Sequence, residues 1–96
     1  MGHTVREKTK LLNRVRRIRG QMEAVERALQ EEKGCVVVLQ LIAGVRGAVN
    51  GLMAKVVEDH ILTHVADDHL VQEQREEGAA ELIDVVRAYH YSCFFD

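Results

Sequence analysis

The chain has 96 residues, of which 47% are hydrophobic and 29% charged, with no proline, no tryptophan and two cysteines. This length allows one domain, residues 1–96, and excludes a second core. A domain of this size hides only about 60 to 65% of its chain surface on folding, so burial between subunits is expected. The cysteines form no CxxC pair and no signal peptide is evident, so we expect a soluble cytoplasmic protein without disulfides.

The formal net charge of -2 conceals an uneven distribution of charge along the chain. Residues 1–20 carry seven Lys or Arg side chains against one Glu, whereas residues 21–96 carry six basic and fourteen acidic side chains. The average charge argues against a nucleic-acid binder. Taken by segment, the charges predict a basic arm on an acidic body.

Apolar residues spaced three and four apart predict an all-α chain of three helices. The first helix is expected to begin near Thr4, where Thr4 and Glu7 form a capping box, and to end at Lys33 and Gly34, with Gly34 as the C-cap turn. Its apolar positions form a heptad-like seam that requires a partner helix: Leu11, Val15, Ile18, Met22, Val25 and Leu29.

The second helix is expected over about residues 35–65, a length of about 45 Å. Its apolar residues exceed what one neighbour could cover, so it should be the central helix. Gln40 and Arg46 interrupt its apolar runs, so no membrane span is expected. Its glycines each cost about 1 kcal/mol of helix propensity and predict either close approach by another helix or a mild kink: Gly44, Gly47 and Gly51.

Residues 66–78 are acidic and polar, so we expect a loop there, with room for one helical turn. A short third helix is expected over about residues 79–91, where the apolar pattern resumes. Its expected role is packing. No internal repeat or low-complexity segment is evident.

His60 and His64 lie four residues apart, so a helix places both imidazoles on one face about 6 Å apart, within reach of a single metal ion. No glutamate directly follows His60, so the pair lacks the general base of a zinc protease and hydrolysis is disfavoured. Cys35 projects from the same helix face to within about 20°. The alternative is an inert thiol with two surface histidines.

Cys35 and His60 cannot meet within one straight helix, because the rise along the helix separates them by about 37 Å. Two copies packed antiparallel could bring them together, with the two-fold axis near residues 48 and 49, inside the glycine-rich stretch. This predicts an antiparallel dimer with two equivalent sites, each combining Cys35 of one subunit with His60 and His64 of the other. His3, near the N-terminus, could add a further nitrogen ligand.

The basic residues of the first helix flank its apolar seam on both sides, and no acidic residue lies between Lys8 and Arg19. An ordinary solvated helix face mixes charges of both signs, so we expect contacts with DNA phosphates. No helix-turn-helix, zinc-finger or RNA-recognition motif is found. The candidate DNA-facing residues are Lys10, Arg14, Arg16, Arg17, Arg19 and, on the second helix, Arg46.

With these residues in place, the chain resembles the CsoR/RcnR family of bacterial metal- and aldehyde-responsive repressors over nearly its full length. The segments that carry the resemblance are residues 14–21 (RVRRIRGQ), Cys35, residues 45–53 (VRGAVNGLM), His60 and His64. The resemblance implies a homotetramer, a dimer of dimers, that binds double-stranded operator DNA without its inducer and releases the DNA when the inducer binds. It implies a regulator and not an enzyme.

The branches of this family differ at a few ligand positions. The copper branch places a second cysteine where this chain has His64, and the formaldehyde branch pairs its cysteine with an N-terminal proline where this chain has Gly2. The nickel/cobalt branch carries His3, Cys35, His60 and His64 together, as this chain does. The resemblance therefore favours Ni(II) or Co(II) as the inducer, held by a thiolate and several nitrogens, a ligand set that Zn(II) could also occupy in vitro.

Two alternative functions stay open. A formaldehyde-responsive repressor would use the Cys35 thiol and a nearby amine, bridged by one carbon. A helical metal-storage or metal-transfer protein would use the same ligands without DNA, and would show no salt-dependent affinity for a duplex.

Overall fold

The computed structural model describes residues 7–89. Within this range the chain forms three α-helices and no strand, so the predicted all-α class is confirmed. Both flanking helices pack on the second, which is the central helix, as expected. The helices are α1 (Lys8–Gln30), α2 (Cys35–His64) and α3 (Gln72–Tyr89).

Helix α1 begins later than predicted. Its N-cap residue is Glu7, which makes no side-chain hydrogen bond to the helix end, whereas the predicted capping box places Glu7 inside the first turn. The predicted partner, Thr4, lies outside the described residues. The Glu7 carboxylate lies instead 3.7 Å from the ammonium group of Lys10, one turn into the helix.

Helix α1 ends in a Schellman motif centred on Glu32. The N–H of Lys33 donates to the carbonyl of Ala28 at 3.0 Å, and the N–H of Glu32 donates to the carbonyl of Leu29 at 3.2 Å. Glu32 adopts the left-handed conformation that this motif requires, with φ 52°. Gly34 also has a positive φ, 97°, but it is the N-cap of α2. The predicted turn is present, and its left-handed helix-ending residue is Glu32 where glycine was expected.

Helix α3 begins at Gln72, so the predicted loop over residues 66–78 is wrong in its second half. Gln, Glu and Arg are favourable helix residues, and a polar segment is therefore not by itself a loop. The side chain of Gln74 accepts a hydrogen bond from the N–H of Val71 at 3.0 Å, which is half of a capping box. The predicted end of this helix, near residue 91, lies outside the described residues.

The described protomer buries few apolar side chains. Val25 and Ala28 are its buried hydrophobic residues, with 6% and 5% of their surface exposed. The seam predicted on α1 divides, because every other position stays exposed: Val15, Met22 and Leu29. On α2 a second exposed apolar set comprises Val36, Leu39, Ile42 and Val49. Uncovered apolar surface of this extent is typical of a subunit that packs against a partner.

Within the described protomer, the glycines of α2 do not mark a close approach of another helix backbone. A Cβ atom at Gly44 or Gly47 would have no neighbour within 4 Å in the described part of the chain. At Gly51 the neighbour is the guanidinium of Arg14, not a helix backbone. Close helix approach at Gly44 and Gly47 therefore stays a prediction about a partner subunit.

Helix α2 is long and apolar enough, by length and composition alone, to cross a membrane, with a mean hydropathy of 1.7 in its most apolar window. The composition of the helix shows that the prediction that Gln40 and Arg46 make it too polar to span a membrane is wrong. The core helix of a soluble assembly has the same composition, so a single such helix is weak support for a membrane span. None of that window is buried within the protomer, which leaves it available to other subunits.

Candidate metal centre and nucleic-acid interface

The two histidines predicted to share a helix face do so at the C-terminal end of α2. The imidazole rings of His60 and His64 have centroids 5.0 Å apart and planes tilted by 37°. They line a cavity of about 370 Å³ between α2 and α3, together with Glu81 of α3. The other lining residues are apolar: Met53, Val56, Val57, Leu82 and Val85. The cavity thus combines two imidazoles and a carboxylate with an apolar wall.

The orientation of His60 is set by the backbone of α3. Its Nε2 lies 2.8 Å from the carbonyl oxygen of Gly78. Because a carbonyl can only accept, Nε2 carries the proton, and the lone pair of the neutral ring then belongs to Nδ1. A metal ligand held by such a hydrogen bond through its other nitrogen is a common arrangement in proteins.

Gly78 allows this contact because it has no side chain. A Cβ atom at position 78 would overlap with the carbonyl oxygen of His64 and would lie 2.8 Å from the carbonyl carbon. Residue 78 is buried, and α3 passes close to the end of α2 at this point. The polar segment predicted as a loop is therefore the part of α3 that positions His60.

Arg75 fixes the connection that leads into α3. Its guanidinium donates to the carbonyl of Leu70 at 3.2 Å and to the carbonyl of Asp67 at 3.1 Å. The Asp67 side chain in turn accepts a hydrogen bond from the N–H of His69 at 2.8 Å. These contacts hold the turn between α2 and α3 and thereby the position of Gly78.

Cys35 lies at the opposite end of α2, where it is exposed. It lines a shallow, largely apolar pocket of about 450 Å³ formed by the end of α1 and the start of α2. Within residues 7–89 of one protomer, no three His, Cys, Asp or Glu side chains are grouped closely enough to hold a metal ion. The structure therefore brings His60 and His64 together and keeps Cys35 apart from them. His3, the remaining predicted ligand, lies outside the described residues.

The predicted DNA-facing residues are not equally accessible. Five of the six are exposed: Lys10, Arg16, Arg17, Arg19 and Arg46. Arg16 also donates a hydrogen bond to the side chain of Asn13 at 3.1 Å. Arg14 is only half-exposed, and its guanidinium lies over Gly51 of α2. The basic face of α1 is thus largely open to a phosphate backbone, with Arg14 turned toward the protein.

One buried acidic residue, Asp59, is not among the residues predicted from the sequence, and it is 5% exposed. Its Oδ2 and the hydroxyl of Thr63 have no hydrogen-bond partner among the described residues. A pattern in the sequence could have found them, because Leu52, Val56, Asp59 and Thr63 follow one helical stripe at steps of three and four. That stripe begins apolar and ends polar.

Comparison with known proteins identifies the family. The family model of metal-sensitive transcriptional repressors matches residues 7–88. The transcriptional repressor RcnR from Citrobacter koseri is 43% identical over 83 residues, which cover 86% of this chain and 90% of that protein. An uncharacterized protein in the bioA 5′ region of Serratia marcescens is 54% identical over 89 residues, covering 93% and 98% of the two chains.

A solved structure shows the same fold. It is a glutamate-to-histidine variant of the formaldehyde-responsive regulator FrmR from Salmonella enterica serovar Typhimurium, with a TM-score of 0.80 and 47% sequence identity. The similarity covers 88% of this chain and 96% of that chain. The resemblance inferred from the sequence is confirmed. The chain belongs to the CsoR/RcnR family of metal-sensitive transcriptional repressors, which are DNA-binding regulators and not enzymes.

Proposed function

We propose that this protein is a cytoplasmic repressor that binds operator DNA in its metal-free state and releases it when Ni(II) or Co(II) binds between subunits. The observation that carries the proposal is the placement of metal-ligating groups at the two ends of α2, with His60 and His64 at one end and Cys35 at the other. Antiparallel pairing of two α2 helices would join a thiol end to an imidazole end at two equivalent positions.

The proposed assembly is a homotetramer, formed by two antiparallel dimers, in which residues 1–96 of each protomer form a single domain. The exposed apolar sets on α1 and α2 support an assembly, because they would otherwise face water. The open surface at Gly44 and Gly47 supports close pairing of α2 helices near the proposed two-fold axis.

The donor set fits the proposed metals. One thiolate from Cys35 with the imidazoles of His60 and His64 is a set of intermediate softness that suits Ni(II) and Co(II), and it would also accept Zn(II) in vitro. His3 would be a fourth ligand. The 43% identity to RcnR supports this branch of the family. A bound metal would catalyse no reaction. It would link two subunits to each other and to the N-terminus that precedes α1.

The proposal is tested by titrating the purified protein with Ni(II) or Co(II) while recording both its absorption and its binding to duplex DNA. We expect thiolate-to-metal charge-transfer absorption together with loss of DNA binding, and neither response in Cys35→Ala. An unchanged spectrum, or DNA binding that survives saturation with both metals, would contradict the proposal. A typical coupling of 1 to 3 kcal/mol corresponds to about a 5- to 150-fold loss of DNA affinity.

A second candidate function is a formaldehyde-responsive repressor acting through Cys35. The 47% identity and TM-score of 0.80 to an FrmR variant favour it, as does the exposure of the thiol. Release of DNA by formaldehyde in the presence of a metal chelator, with no release by nickel, would establish this alternative. The other alternative, a metal-storage protein that never contacts DNA, is disfavoured by membership in a family of repressors.

A further inference from the structure

A cavity of about 290 Å³ lies between the first half of α1 and the second half of α2. Charged side chains of both signs line it: the basic residues Lys10, Arg14 and Lys55, and the acidic residues Glu7, Glu58 and Asp59. A small ion of either sign would be repelled by some of these side chains and attracted by others, so the cavity favours neither anions nor cations. We therefore interpret the cavity as a place where the protein's own charges pair, not as a ligand site.

Asp59 is the buried member of this group. It is 5% exposed, whereas Glu58 beside it is exposed to solvent. No ion pair reaches Asp59 within the described residues, and its Oδ2 has no hydrogen-bond partner there. Burying a carboxylate without a partner is costly, so a cation that can reach Asp59 will be drawn to it.

Of the two cations that α1 contributes to this cavity, Lys10 is better placed than Arg14 to reach Asp59. Helices α1 and α2 run antiparallel, and Arg14 lies over Gly51, which is about 12 Å before Asp59 along α2. Lys10 is one turn closer than Arg14 to the start of α1, and so nearer to the level of Asp59. Side chains on a helix lean toward its N-terminus, so in an antiparallel pair Lys10 and Asp59 lean toward each other.

Lys10 is also able to change partners. Its ammonium group lies 3.7 Å from Glu7, and the two side chains are 82% and 39% exposed. An exposed pair of this kind contributes little to stability, because water screens the two charges. A DNA phosphate or a buried carboxylate can therefore displace Glu7 as the partner of Lys10.

We propose that Asp59 is a positioning residue for Lys10. In the DNA-free protein the Asp59 carboxylate attracts the Lys10 ammonium from Glu7 toward the cavity, and this attraction opposes the movement of the ammonium group out to a DNA phosphate. Asp59 thus competes with DNA for Lys10, a cation of α1. This inference rests on the proposed function, because it assumes that Lys10 contacts DNA.

The test measures the affinity of the full-length, metal-free protein for a duplex carrying the DNA upstream of its own gene. We expect Asp59→Asn to bind this duplex about 3- to 10-fold more tightly than the natural protein, within the range of coupling between neighbouring charged groups. Glu58→Gln is the matched control, because it removes an exposed negative charge from the same cavity. Its effect should be smaller than about 2-fold at physiological salt, where exposed charges are screened.

The second arm repeats Asp59→Asn in a Lys10→Gln background and in an Arg14→Gln background. The gain in affinity should vanish without Lys10 and persist without Arg14. An equal gain in the Lys10→Gln background, or a gain no larger than that of Glu58→Gln, would overturn the role of Asp59. If Lys10→Gln itself leaves DNA affinity unchanged, Lys10 makes no phosphate contact, and the DNA-contact assumption fails first.

Thermal unfolding completes the test. We expect Asp59→Asn and the smaller Asp59→Ser to keep the helical content and nearly the Tm of the natural protein, because the desolvation of a buried carboxylate offsets what its pairing contributes. A large fall in Tm in both variants would contradict the proposal, since it would mean that Asp59 supports the fold itself.

Discussion

The imidazole Nε2 of His60 and the carbonyl oxygen of Gly78 lie 2.8 Å apart, and they join the end of the central helix to the first half of α3. This contact fixes which nitrogen of His60 carries the proton. It exists because residue 78 has no Cβ atom, which allows the two backbones to approach. Gly78, which is far along the sequence from any predicted metal ligand, therefore controls the orientation of the predicted ligand His60.

Replacing this glycine tests the relationship. We expect Gly78→Ala to destabilise the protein by about 1 to 3 kcal/mol, because its Cβ atom would overlap with the carbonyl group of His64. Displacement of the Gly78 carbonyl should also weaken metal binding by about 10- to 100-fold, the usual effect of losing a partner of a ligand histidine. Denaturant unfolding and a competitive metal titration measure the two effects.

Gly20→Ala is the matched control. Gly20 also lies inside a helix, but a Cβ atom there would have no neighbour within 4 Å in the described protomer. Alanine should therefore raise helix stability at this position by up to about 1 kcal/mol. Destabilisation of equal size in both variants would mean that glycine at 78 has no special packing role.

The end of α1 supplies a second stability prediction. Glu32 adopts φ 52°, a conformation that costs an L-residue about 1 to 2 kcal/mol and that glycine adopts freely. Glu32→Gly should therefore stabilise the protein by about 0.5 to 1 kcal/mol in denaturant unfolding. Glu31→Gly should have the opposite sign, because Glu31 has an ordinary φ of -89°. A loss of stability in Glu32→Gly would show that the side chain of Glu32 matters more than its backbone.

Much of this fold follows from sequence patterns, and the differences have physical causes. Helix α2 is predicted almost to the residue because Gly34 precedes it and its apolar pattern is continuous. The start of α3 is not predicted correctly, because its first turn is polar and its composition is that of a loop. The side chain of Gln74 is nevertheless a recognisable capping group. At the end of α1 the left-handed residue is Glu32, and nothing in the residue type indicates this.

The ligand residues of the candidate site can be predicted from the sequence, but their tertiary contacts cannot. The spacing of His60 and His64 is enough to place both rings on one face of a helix. The contact between His60 and Gly78 joins residues 18 positions apart, and no local pattern reports it. The burial of Asp59 is different, because its place on one helical stripe with Leu52 and Val56 indicates a buried position, although the packing of α1 over it is seen only in the structure.

The connection between α2 and α3 yields a prediction about Arg75. Its guanidinium donates to the carbonyls of Leu70 and Asp67, so Arg75→Met should leave both carbonyls without that donor. We expect a loss of about 1 to 3 kcal/mol in denaturant unfolding. Arg87→Met, an exposed change on the same helix, should have an effect within about 0.5 kcal/mol. Equal effects would indicate that the turn is held by other contacts.

The basic face of α1 predicts how DNA binding responds to salt. Arg17 is exposed on this face, so Arg17→Gln should weaken DNA binding at low salt. The slope of log K against log salt should fall by about 1, because one phosphate is no longer neutralised. Arg27→Gln, at the opposite end of α1, should leave the slope unchanged. An unchanged slope in Arg17→Gln would place the DNA-binding surface elsewhere.

A metal site that combines Cys35 of one subunit with His60 and His64 of another can be restored by mixing two inactive variants. Cys35→Ala and the double variant His60→Ala/His64→Ala are each titrated with Ni(II), then unfolded together, refolded as a mixture and titrated again. Neither variant alone should show the thiolate-to-nickel absorption of the natural protein. Random pairing should restore about one quarter of that absorption, since half of the dimers are mixed and each mixed dimer has one complete site. A mixture that stays without absorption, although its subunits have exchanged, would contradict a site shared between subunits.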